Sequence, residues 1–207
     1  MAIDNIIARA QAGDAEAQFE LGVCYSDGIG VKKNEYTAMR WFKSAAEQGH
    51  VNAQFVVGIM YAKGDGCDAD MVQAVEWFKK AAEQGNPNAQ NFLGRAYADG
   101  DGVAKDSAEA VKWFKKSAEQ DDTSGQALLG NMYYFGEGVA QNKKEAFKLF
   151  QKAAEKGDAV GQLMVGAMLL EGDSCEKDEA KGISLLRQSA AQGNQSAIGI
   201  LIDLDLL

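Results

Sequence analysis

The sequence predicts an all-α repeat protein built from five helix-pair units, and three observations carry that prediction. A tryptophan or leucine returns every 36 residues, at Trp41, Trp77, Trp113, Leu149 and Leu185. Two glycine columns keep the same step, one through Gly22, Gly58, Gly94, Gly130 and Gly166, the other through Gly28, Gly64, Gly100, Gly136 and Gly172. A single proline in 207 residues leaves room for near-continuous helix, since proline breaks helix interiors. Gln18, Gln54, Gln90, Gln126 and Gln162 follow in phase, as do Tyr25, Tyr61, Tyr97 and Tyr133, and no insertion disturbs the register. Self-similarity at a fixed step of this length is the signature of stacked helical hairpins, none of which can bury its apolar face alone.

The elements follow in order from cap chemistry. Residues 1–13 hold a stretch, Asp4 to Ala12, in phase with the second helix of every later unit, and it reads as an N-terminal capping helix. Five units follow at 14–49, 50–85, 86–121, 122–157 and 158–193. Each opens on a side chain able to accept from free helix amides, namely Asp14, His50, Asn86, Asp122 or Asp158. Pro87 takes a first helical position, where its missing N–H is harmless. Helix A runs over about 15–27 in the first copy, and a Gly-x-Gly turn ends it. A second cap column, Asn34, Asp70, Asp106, Asn142 and Asp178, then starts helix B, about 35–48 in the first copy.

The glycine at Gly22 and its copies falls inside helix A, where glycine costs roughly 1 kcal/mol relative to alanine. The expectation is that helix B approaches helix A there, with Ala45-Ala46, Ala81-Ala82 and Ala153-Ala154 as the matching small surface. Trp41 and its copies are expected to fill the space between neighbouring repeats. Repeat five is degenerate, with Leu169 for tyrosine, Ser174 for glycine and Gly182 for alanine, and residues 194–207 form a C-terminal cap in phase with helix A. The whole chain, 1–207, is expected to be one repeat domain.

Composition excludes several function classes. The net charge is −9 and the pI about 4.7, which repels phosphate backbones and anionic lipid, so neither nucleic acid nor membrane is an expected partner. The longest apolar run, Leu163 to Leu170, falls far short of the ~20 residues of a bilayer span. Asp4 and Arg9 interrupt the stretch where a signal peptide would be apolar, and a cytoplasmic location is expected. Three sparse cysteines, Cys24, Cys67 and Cys175, do not make a disulfide framework. Cys67 and Cys175 share a column with Val31, Val103 and Val139, the pattern of a small buried residue.

The repeated residues resemble a known family. Ala89-Gln90, Leu93-Gly94, Tyr97, Gly100-Asp101-Gly102-Val103, Ala110, Trp113 and Lys116-Ser117-Ala118-Glu119-Gln120 resemble the Sel-one-like repeat, a relative of the tetratricopeptide repeat, and the match covers nearly the whole chain. The resemblance implies a right-handed α/α superhelix and a scaffold or adaptor role in protein complexes. Some secreted members resemble β-lactamases and carry a cysteine pair in each repeat, which this chain lacks.

At 100° per residue the constant positions of helix A cover one arc and leave columns 16, 19, 23, 26 and 27 on the other. The tetratricopeptide resemblance places that second face on an inner, concave wall. It carries Phe19, Val23, Phe55, Ile59, Asn91, Arg95, Asn131, Tyr134 and Phe135 as candidate partner-binding residues. An extended peptide could bury an apolar side chain against Phe19 and Phe55. Its carboxylate would pair with Arg95, while Asn91 and Asn131 bond its backbone. The competing expectation makes Phe19 and Phe55 part of the core.

Other motifs point to structure. Gly28-Ile29-Gly30 and Gly64-Asp65-Gly66 follow helices and recur with the repeat, unlike a dinucleotide loop after a strand. The single histidine, His50, sits in a cap column and offers neither a base for a serine nucleophile nor a zinc cluster. The turn acids Asp65 and Asp101 are expected to be solvated, as are the helix-B lysines and glutamates such as Lys80, Lys116, Glu83 and Glu119. No cofactor or metal is expected. The reading is a non-catalytic scaffold binding a protein or peptide. The alternatives are a hydrolase of the β-lactamase type, a helical-pair RNA binder that the acidic charge opposes, and self-association through the C-terminal helix around Leu204, Leu206 and Leu207.

Overall fold

The computed structural model describes residues 3–206, which form twelve α-helices and no strand. In chain order these are α1 (Ile3–Gln11), α2 (Ala15–Asp27), α3 (Glu35–Glu47), α4 (Val51–Lys63), α5 (Met71–Glu83) and α6 (Pro87–Asp99). They continue as α7 (Ser107–Glu119), α8 (Thr123–Phe135), α9 (Lys143–Glu155), α10 (Ala159–Glu171), α11 (Glu179–Ala191) and α12 (Gln195–Asp203). The boundaries are written by the expected caps. Asp14 Oδ1 accepts from the Glu16 and Ala17 amides at 3.1 and 3.2 Å, and Asn34 Oδ1 accepts from Thr37 at 2.9 Å. Gly28 closes α2 in the left-handed region at φ 77°. Helix B ends a residue early, at Glu47, with Gln48 as its cap.

The chain divides into two compact units, Met1–Lys105 and Asp106–Leu207. Within the first, α1 to α6 pack each against the next in chain order, and within the second α7 to α12 do the same. Leu207 lies outside the described residues, as do Met1 and Ala2.

The mid-helix glycines have a different neighbour from the one expected. A Cβ on Gly22 would lie 2.6 Å from the ring of Phe42, and one on Gly58 would lie 2.5 Å from Phe78. The glycine column therefore seats a phenylalanine column, Phe42, Phe78, Phe114 and Phe150, which is 3% exposed or less. Fully burying such a ring stabilises by about 1.5–3 kcal/mol, enough to offset the propensity loss at the glycine. The alanine pairs face the following helix A instead. In the second unit, a Cβ on Gly161 of α10 would come within 2.7 Å of Ala154 N and 2.9 Å of Ala153 Cβ on α9. Trp77 packs with Ala38, Met39 and Phe42 of the preceding repeat and with Val57 and Met60 of its own, and so bridges neighbours.

The glutamine column has a structural role. Gln54 is 5% exposed. Its Nε2 donates to the Ala46 carbonyl at 3.2 Å, and its Oε1 accepts from Gln84 Nε2 at 2.7 Å. Gln18 repeats the pattern with Ala10 and Gln48. Gln18 and Gln54 thus tie helix A to the helix B on either side of it, and a buried amide tolerates that position because both of its ends are bonded. In the second unit Lys156 replaces the capping glutamine and Asp121 replaces a glycine. Gln126 Nε2 there donates to Asp121 Oδ1 at 2.8 Å, and Lys156 Nζ pairs with Asp121 Oδ2 at 2.5 Å.

The turn between helices touches the preceding repeat by its backbone. Gly66 sits at φ +71°, and a Cβ there would collide with the Glu35 carbonyl. Cys67 and Cys175, expected to be buried, are only partly so. Each Sγ faces a helix-A carbonyl, Met60 at 3.7 Å and Met168 at 3.4 Å, and partial burial pushes both thiol pKa values up.

Candidate functional site

The candidate residues divide between the two units. In the first, α2, α4 and α6 carry the columns of Phe19 and Val23. Phe19 is half core: its ring lies 5.5 Å from Phe42 and stacks on His50 at 4.6 Å. Phe55 lies 6.0 Å from Phe78 and 5.7 Å from Phe92, and Phe92 is itself 42% exposed. Phe19 and Phe55 are thus each packed against core rings and half-buried. Arg95 is exposed and forms no ion pair among the described residues. Asn91 is withdrawn from the surface at 6% exposure, and its role as a peptide contact is corrected.

Val23 and Ile59 stand over an open cleft of about 310 Å³ bounded by α2, α3 and α4. Its floor is apolar, with Phe42 and Met60, and its rim is acidic, with Asp27, Glu35 and Asp65. Lys33 Nζ pairs with Glu35 Oε1 at 2.8 Å, and that bond, with the nearby charges of Asp27 and Asp65, raises the lysine pKa. Asp27 belongs to column 27 of the free face, whereas Glu35 lies outside the helix-A wheel and Asp65, a turn acid, was expected to be solvated. The signal was available in two columns outside that wheel, the first residue of helix B and the middle of the turn.

In the second unit, Asn131, Tyr134 and Phe135 lie on α8. Asn131 is half-buried, and Phe135 is 61% exposed, edge-on to Tyr134 at 5.0 Å between ring centroids. Tyr134 Oη donates to Asp173 Oδ2 at 3.3 Å, and Lys143 Nζ lies 2.6 Å from the same oxygen and 4.9 Å from the tyrosine ring centroid. The Lys143 hydrogen bond holds the Asp173 carboxyl below its ordinary pKa, and burial pushes the Tyr134 hydroxyl up. A larger opening of about 780 Å³ in this unit, bounded by Phe147, Leu169 and Lys181 among others, includes none of the predicted residues.

His50 behaves as a cap. Its Nδ1 accepts from the Ala53 amide at 3.1 Å, and its Nε2 lies 3.1 Å from Glu16 Oε2. Among the described residues no group of histidine, cysteine or acidic side chains is arranged to hold a metal, and no helix is long and apolar enough to cross a membrane. Two of the helix-B lysines assigned to solvent have aromatic partners. Lys80 Nζ and Lys116 Nζ each lie 3.8 Å from the ring centroid of Trp77 and Trp113 respectively, a cation–π arrangement.

The Sel1 repeat model matches residues 15–50, 51–86, 87–122, 123–158 and 159–194. A Sel1 repeat protein from Oxalobacter formigenes is 31% identical over 97% of this chain and 86% of its own, with a TM-score of 0.87. A protective antigen of uropathogenic Escherichia coli strains, described as displaying an SLR fold, is 35% identical over 100% of this chain with a TM-score of 0.74. This chain spans 52% of that antigen's length. A putative Sel1 repeat protein from Klebsiella pneumoniae, 21% identical over 99% of this chain and 100% of its own, shares the fold with a TM-score of 0.58. No curated protein matches the chain.

Proposed function

The chain belongs to the Sel1 repeat family, whose members are generally protein-interaction scaffolds, and from that premise we propose that it is a non-catalytic scaffold holding an extended polypeptide segment. The segment lies on the free face of α2, α4 and α6 and carries a carboxylate that pairs with Arg95. The observation that supports this reading is the line of helix-A positions Val23, Ile59 and Arg95. The first two stand half-buried over an open cleft, and the third is an exposed cation with no acidic partner among the described residues. An extended chain laid along such a line gains apolar burial at one end and a charge-assisted contact at the other. The unpaired cysteines suit a reducing compartment, and we propose the cytoplasm as its location.

The test is affinity capture from the source cell with wild-type and Arg95→Glu proteins, followed by titration of the captured partner. Arg95→Glu is expected to weaken binding at least about tenfold, the effect of reversing one charge of a close pair, with circular dichroism and melting unchanged. Equal binding by the two proteins would overturn the site. Turnover of a chromogenic β-lactam by the purified chain would overturn the non-catalytic reading.

A further inference from the structure

The cleft over Phe42 has a counterpart three repeats later, and the two differ in what the chain itself puts there. At the later position Lys143 stands where Glu35 stood, Tyr134 where Ser26 stood and Phe135 where Asp27 stood, while Asp173 keeps the acid of Asp65. The ammonium of Lys143 fills that place, 2.6 Å from Asp173 Oδ2 and over the Tyr134 ring. The earlier cleft keeps the aspartate, adds two more carboxylates and stays open. Its lysine, Lys33, meets Glu35 from outside with a side chain that is 63% exposed, so three acids share one solvated cation.

We propose that the cleft over Phe42 receives a lysine or arginine side chain of the bound polypeptide. The cationic head sits between Glu35 and Asp65, and the aliphatic stem lies along Val23 and Ile59. The inference rests on the scaffold reading above and names the chemistry of the segment at the α2–α4 end of the face. A rim of surplus negative charge over an apolar floor is complementary to that side chain, whose stem is apolar and whose head is charged. The chain's own Lys143–Asp173 pair shows the same repeat geometry accommodating an ammonium. With Arg95 on α6 taking a carboxylate, the segment binds in one direction, basic residue toward α2 and acidic group toward α6.

A phage-displayed random heptapeptide library, panned at low salt on the full chain, tests this, with the best peptide then synthesised and titrated calorimetrically. Selected peptides are expected to carry lysine or arginine beside an apolar residue. Glu35→Lys, which copies the register of Lys143 and so keeps the fold, is expected to weaken the peptide roughly tenfold, and Asp65→Asn, at an exposed turn, about threefold. Replacing the peptide's basic residue by methionine should match the loss seen with Glu35→Lys. Peptides without a basic residue, or affinity indifferent to both variants, overturn this inference and leave the scaffold reading standing. Failure to select any peptide overturns both.

Discussion

The junction from Glu35 to Asp65 and the junction from Lys143 to Asp173 occupy the same place in their repeats, each inside its own unit. The backbone solution is common to both: a capped helix B, a glycine-ended helix A and a phenylalanine floor. The side chains at the variable columns differ, and they decide whether the place is open and acidic or filled and neutralised. A repeat of this kind separates the positions that hold it together from the positions that give each copy its chemistry. The second set is small: at the rim three differences, Ser26 against Tyr134, Asp27 against Phe135 and Glu35 against Lys143, distinguish one cleft from the other.

That comparison is broken most severely at the floor. Phe150→Ala is expected to destabilise by about 3–5 kcal/mol in chemical denaturation, because it empties a fully buried ring site beneath Tyr134. Phe42→Ala should fall at the low end of that range, since its ring already borders an open cleft. Equal losses would show that the open cleft costs its floor nothing. Next come the glutamines. Gln54→Leu should lose about 1–3 kcal/mol by giving up two hydrogen bonds, one to the Ala46 carbonyl and one from the Gln84 amide. Gln126→Leu should lose less, because Gln126 Oε1 has no hydrogen-bond partner and only its Nε2 bond to Asp121 is given up.

A smaller effect is expected at the ion pair, and it depends on pH. The folded-state pKa of Asp173 is depressed, chiefly by the hydrogen bond from Lys143. Its contribution is therefore present above the ordinary carboxylate pKa and is lost as pH falls through the depressed one. Lys143→Met should flatten that acid limb in melting curves taken across the range, and an unchanged limb would show that the pair is decorative. The smallest effect is at Ser174, which holds φ +62° where the other repeats have glycine. Ser174→Gly should stabilise by about 0.5 kcal/mol, the relief of the left-handed backbone less the Ser174 Oγ–Asp173 bond, read as a small rise in Tm.

Most of the fold was legible in the sequence because cap chemistry is local. Asn34, Asp70 and Asp106 each bond an amide three residues on, a relation contained within one stretch of chain. The partner of Gly22 was not legible. Trp41 and Phe42 are adjacent aromatic columns with the same period, and the crossing of two helices, not their spacing along the chain, decides which ring meets the glycine. The proposed binding face was legible in part, since a wheel drawn on helix A finds Val23, Ile59 and Arg95. It is blind to Glu35 on the next helix and Asp65 in the next turn, which only stacking brings together.

The contact between Gly66 and the start of α3 is made main chain to main chain, and Gly102 and Gly138 abut the Met71 and Ser107 carbonyls in the same way. The joint is therefore indifferent to which side chain follows the cap, and that residue is glutamate, methionine, serine or lysine in different copies. Duplication or excision of a whole block at the level of the gene would leave every such seam intact. The newly copied position would then be free to acquire a new specificity with no mechanical penalty.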